Sequence, residues 1–136
     1  MKNVQNILLK GVTNGIVERV TIGINWTMVE GTHGCGFAQT PQRDTSGCLP
    51  ITEAGQLTGM DLRRLANFIK NSNPLEIAIG MAAINASYNR YDLDTNCDDN
   101  GLEAFGTVNQ SVTVVGRFPG LERRYSALKV IEKDPR

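Results

Sequence analysis

No run of this sequence approaches the roughly 18 consecutive apolar residues that a membrane-spanning helix needs. The opening MKNVQNILLK holds too short an apolar stretch for a secretory leader and no small-residue cleavage pattern, so a cytoplasmic protein is expected. Cysteine is scarce. Cys35, Cys48 and Cys97 cannot all pair within one chain, which excludes a disulfide scaffold and leaves reduced thiols as the default. Charge of one sign is missing too: 14 Lys and Arg balance 14 Asp and Glu, so no electrostatic footprint marks a nucleic-acid or anionic-membrane surface. A single histidine, His33, leaves little for general acid–base chemistry beyond Asp and Glu, and no Ser-His-Asp arrangement is in view. The sequence names no catalytic group.

What is present, over 136 residues, fits one domain of about 100 residues plus the beginning of another. Residues 1–13 place Val4, Ile7, Leu8 and Val12 on one helical face, with Gly11, Asn14 and Gly15 marking the exit. From Ile16 the period changes to two, with Val20, Ile22, Ile24, Trp26 and Met28 on one side and Thr21, Gly23, Asn25 and Thr27 on the other. That pattern predicts one or two half-buried strands with a turn near residues 23–25, and Trp26 in the core or at a domain interface. A glycine-rich turn at 31–36 leads into a further strand over 36–40, and a polar loop follows over 41–50. Thr58 as N-cap, with Asp61 three residues on, opens a helix striped by Leu62, Leu65, Phe68 and Ile69.

Asn73, Pro74 and Glu76 give the next helix a cap, a first-turn proline and an acid near its positive end. Its body, PLEIAIGMAAINASYN, is apolar on nearly every side, so it is expected to be buried. Gly80, Ala82, Ala83 and Ala86 would let neighbours approach closely. Strands followed by a helical pair make an α+β domain. Residues 90–110 are polar and aperiodic, which sets a domain boundary: residues 1–105 form the first domain and 106–136 the second. In the second, a strand through Val112, Val114 and Val115, a short helix-like piece and the strand Leu128–Ile131 make a β-α-β unit. Such a unit cannot bury its own faces.

Five stretches, IGINWTMVEG, GCGFAQT, AIGMAAINA, VVGRFP and VIEKDP, stand in the order found in a two-domain prokaryotic family described as "Putative heavy-metal chelation", which this chain resembles over nearly its whole length. The resemblance implies an enolase N-terminal-like domain followed by a Rossmann-like domain, here only its beginning, with a functional site in the cleft between them. It implies a transition or heavy metal ion as ligand and a cleft lined by Thr40, Asn85, Gly116, Arg117, Phe118 and Glu132. The chain departs from the family in carrying Arg117 where histidine is the more usual residue, and in ending after the second strand of the second domain.

The residues offer three chemistries. His33, Cys35 and Cys48 are suitable soft-metal ligands, with Gly34 and Gly36 allowing a tight chelating turn, although H-x-C-x12-C lacks the paired C-x-x-C spacing of firm zinc motifs. Idle cysteines and a surface histidine are the plain alternative. The turn Gly116–Pro119 and the acid Glu132 sit where a Rossmann-like sheet takes nucleotides, but the glycines read G-x-x-x-G. Asp92, Asp94, Asn96, Asp98, Asn100 and Glu103 occupy calcium-loop positions, yet Cys97 stands where that loop needs glycine, which favours a solvated linker. Asn85, within the buried helix, either ties it to a neighbour or lines a polar cleft.

The leading expectation is therefore a metal- or ligand-binding protein. The alternatives are an assembly subunit, whose C-terminal sheet is completed by a companion chain or another copy, and an enzyme acting on a nucleotide-linked substrate.

Overall fold

The structure, a computed structural model, describes residues 2–42, 50–93, 111–116 and 118–132. It forms two compact units, Met1–Leu93 and Asp94–Arg136. The boundary expected after residue 105 lies outside the described residues. The fold is α+β, with a three-stranded antiparallel sheet in the first unit and a parallel strand pair in the second. No helix among the described residues is long and apolar enough to cross a membrane.

The first unit begins with α1, Lys2–Lys10. The stripe expected to dock it is only half used, because Val4 and Ile7 are 61% and 58% exposed while Leu9 and Val12 are buried. The helix therefore packs by its last turn. Three strands follow: β1, Val17–Ile22; β2, Trp26–Gly31; and β3, Gly34–Gln39, in that order across the sheet. The single alternating stripe expected from residue 20 to 28 does not survive the turn. Ile22 pairs with Thr27 and Val20 with Val29, so in β2 the inward set becomes Thr27, Val29 and Gly31. Trp26 is turned outward and 60% exposed instead of lying in the core. A strand's parity holds only within that strand, and a hairpin resets it. Thr27, fully buried, satisfies its hydroxyl through Thr40 at 2.9 Å.

A short helix, α2, spans Leu62–Ala66 and runs on into a 3-10 turn, Asn67–Lys70. Its cap is Asp61, whose carboxylate accepts from the Arg64 N–H at 2.9 Å, rather than Thr58, which lies three residues too early. Leu62, Leu65, Phe68 and Ile69 are buried as their spacing predicts. The main helix, α3, spans Pro74–Tyr88 with Asn73 accepting from the Leu75 N–H at 3.0 Å, the capped start anticipated from the sequence. Glu76 does more than face the helix end. Its buried carboxylate accepts from Thr52 N–H at 2.5 Å and from the Asn71 amide at 2.8 Å, pinning the 50–57 loop to the helix.

Helix α3 lies on the inner face of the sheet, and glycine brings it there. A Cβ built on Gly36 would come within 2.1 Å of the Ala86 nitrogen and 2.2 Å of the Ala82 oxygen. At this distance α3 reaches the free edge of β3. The amides of Asn85 and Asn89 donate to the carbonyls of Phe37 (2.7 Å) and Cys35 (2.8 Å), and Cys35 N–H donates to the Asn89 carbonyl at 3.3 Å. Three groups that an edge strand would otherwise leave to water are satisfied within the chain.

In the second unit β4, Val112–Val115, pairs in parallel with β5, Leu128–Ile131. The helix-like piece between them is one 3-10 turn, Leu121–Arg123, entered through Gly120 at φ 90°. Leu121 and Tyr125 are buried among the described residues of this unit.

Candidate functional site

The β2–β3 connection is a two-residue loop, Thr32–His33, closed by the pair Gly31 and Gly34. Two other segments meet it. After α3 the chain turns back along β3, with Arg90 bridging Gly34 and Tyr91 N–H donating to the His33 carbonyl at 2.9 Å. After α1, Thr13 is held by Ser87, whose hydroxyl accepts from its N–H at 2.8 Å. Together they form a depression of about 430 Å³ lined by Thr13, Asn14, Thr32, His33, Arg90, Tyr91 and Asp92. The imidazole of His33, the amide of Asn14 and the hydroxyl of Tyr91 have no hydrogen-bond partner among the described residues and are open to a ligand.

Charge in the depression is organised around Asp92. Arg90 grips its carboxylate with two hydrogen bonds, 2.7 and 2.6 Å. The Arg90 guanidinium holds that carboxyl below the usual range against the effect of burial, and His33 adds to the depression from nearby.

On the outer face of the sheet, strand register lines up Arg19, Glu30 and Cys35 in one row across the three strands. Arg19 and Glu30 form an ion pair, and the hydrogen bond between them lowers the Glu30 carboxyl. Cys35, half-buried, has its thiol pushed up by burial first and by Glu30 second, with Arg19 opposing. It is therefore a protonated thiol at neutral pH, and a metal ion would have to displace its proton. Tyr91 connects the two places, since it lines the depression while burial, Cys35 and Glu30 all raise its hydroxyl.

The residues singled out from the sequence are placed as follows. His33 is in the depression and Cys35 two residues along on the outer face, whereas Cys48, Cys97 and Arg117 lie outside the described residues. Among the described residues no three His, Cys, Asp or Glu side chains come together to hold a metal ion. Thr40 and Asn85 belong to the first unit, where Thr40 bonds Thr27 and Asn85 bonds the edge of β3. Gly116, Phe118 and Glu132 belong to the second. Gly116 leaves β4 at φ 89° and donates its N–H to Ile131, Phe118 is 47% exposed, and Glu132 follows β5. Of the calcium-loop residues only Asp92 is described, and Arg90 occupies it. Sequence reasoning missed Asn14, Arg90 and Tyr91; only the contacts of three separated segments bring them to His33.

Residues 5–88 match the family described as "Putative heavy-metal chelation". Among solved structures, a protein of unknown function from the DUF364 family of Desulfitobacterium hafniense DCB-2 is similar over 100% of this chain and 59% of its own, with 26% identity and a TM-score of 0.71. Another protein of unknown function from that family, from Pyrococcus horikoshii, is similar over 97% of this chain and 56% of its own, at 18% identity and a TM-score of 0.53. The second likeness concerns the fold alone. This chain thus spans less than two thirds of the length of either structure. No curated protein matches the sequence.

Proposed function

The chain belongs to the family described as "Putative heavy-metal chelation", and from that premise we propose that it binds a soft or borderline metal ion, with the β2–β3 hairpin supplying ligands. His33 and Cys35 are the ligands of the hairpin itself. Asp92 is the adjoining oxygen donor, which would have to move from Arg90 onto the ion, since His33, Cys35 and Asp92 do not stand together as a formed site. Cys48, within the family-matched segment, would be the further thiolate. The observation that carries the reading is the meeting of His33 and Asp92 in one polar depression, with Cys35 two positions further along the same hairpin on the outer face. Imidazole and thiolate suit zinc, cadmium and their heavier relatives, and a carboxylate completes such sets.

Binding would release the proton of Cys35, so affinity is expected to rise with pH. It would also draw Asp92 away from Arg90. Calorimetric titration of the full chain with zinc tests the proposal. His33→Ala and Cys35→Ala should each weaken binding by roughly tenfold or more, since losing even an outer-shell partner of a metal ligand costs about that much. Binding left unchanged by both substitutions would remove the hairpin from the account.

A further inference from the structure

The two edges of the antiparallel sheet are treated differently. At β3 the free edge is closed by Asn85 and Asn89. At β1 the described residues cover only the first position, where Val17 N–H donates to the Met60 carbonyl and the Val17 carbonyl accepts from Gly59 N–H at 2.9 and 2.8 Å. A bulge at residues 17–19 follows, and beyond it no described residue pairs with this edge. Gly23 N–H donates to the Trp26 carbonyl at 2.9 Å, so Gly23 faces β2. By alternation Thr21 and Arg19 face it as well, and the N–H and C=O groups of Val20 and Ile22 point away from the sheet. These four groups have no partner among the described residues.

We propose that this edge pairs with the same edge of a second copy, β1 against β1 in antiparallel register about a two-fold axis at Thr21. One register satisfies all four groups: Val20 opposite Ile22 of the second copy, and Ile22 opposite its Val20. The same register sets Thr21 against Thr21, Arg19 against Gly23 and Glu18 against Ile24, so no like charges stand opposite each other. It also covers apolar surface that a lone chain leaves in water, Ile22 at 42% exposure and Ile24 at 94%. The interface is self-complementary, as a two-fold contact requires. It is short, because the bulge ends it, so it makes a weak dimer rather than a permanent one. Two three-stranded sheets become one of six strands, with both outer edges closed by asparagines.

Sedimentation equilibrium of the full chain over a hundredfold concentration range tests this. A reversible monomer–dimer equilibrium is expected. Thr21 is exposed and distant from the core, so Thr21→Lys and Thr21→Glu should keep the fold, checked by thermal melting, while each weakens association about fivefold or more. Mixed in equal amounts, the two variants should associate at least as tightly as the unaltered chain, since only a residue facing its own copy is rescued by opposite charge. Thr21→Cys gives an independent readout. Paired residues at the axis fall within disulfide reach, and oxidation should yield a dimer linked through position 21. A chain monomeric throughout, charge variants that associate like the original, or a mixture no tighter than its components would each overturn the proposal.

Discussion

The two faces of the antiparallel sheet divide the labour of the first unit. The inner face of β2 and β3 carries Thr27, Val29, Gly36 and Ala38, all small or β-branched and all buried on the side where α3 packs. The outer face carries Arg19, Glu30 and Cys35 in one row and Met28 and Phe37 in the next, with Phe37 half exposed. Both faces belong to the same three strands, separated only by the alternation of the pleat. The packed core lies on one side and the polar row with its thiol on the other, so substitutions on the two faces should separate cleanly in their effect on stability.

The largest effect is expected at Gly36. An added methyl would strike backbone atoms of α3, which cannot rotate aside, so Gly36→Ala should cost about 3 kcal/mol in urea unfolding. Next comes Glu76, whose removal leaves a loop N–H and an amide without their acceptor. Glu76→Ala should cost about 2 kcal/mol.

This carboxylate also gives the comparison a pH axis. Burial pushes it up, but the hydrogen bonds from Thr52 and Asn71 outweigh burial and hold it below the ordinary carboxylate range. A depressed folded-state value contributes stability that is present above the unfolded value of about 4.3 and is lost as pH falls through the lower folded value. Acid unfolding profiles of Glu76→Gln should therefore be flatter than those of the unaltered chain across that window. Smaller again, Asn89→Ala should cost about 1 kcal/mol by freeing the Cys35 carbonyl at the sheet edge. On the outer face, Arg19→Ala should leave the melting temperature unchanged, because its ion pair is exposed to solvent. An outer-face change as damaging as Gly36→Ala would break the comparison.

How much of this was legible in the sequence follows from range. Asn73 and Pro74 act within one turn of helix, and, unlike the bond of Glu76 to Thr52, which reaches back to a separate loop, their roles could be read directly from their spacing. So could the burial of α3, which has no polar stripe, and the α+β order of elements. The inward set of β2 could not be read from a continuous alternation, because a turn of a few residues resets parity, and Thr27 displaced the more apolar Trp26 from the inner face. The amphipathic stripe of α1 likewise promised more burial than one docked turn supplies. At the candidate site, His33 and Cys35 stood out by chemistry alone. Arg90, Tyr91 and Asn14 did not, because they reach His33 from segments more than 15 residues away along the chain.

The central claim is that the β2–β3 hairpin carries metal ligands without carrying the fold. Cadmium titration followed by thiolate-to-metal charge-transfer absorbance tests it most directly, comparing the unaltered chain with Cys35→Ser. The account predicts a saturable band in the original, a reduced band in the variant, and the same melting temperature for both metal-free proteins. An undiminished band in Cys35→Ser would contradict it, as would a variant that loses the fold along with the metal.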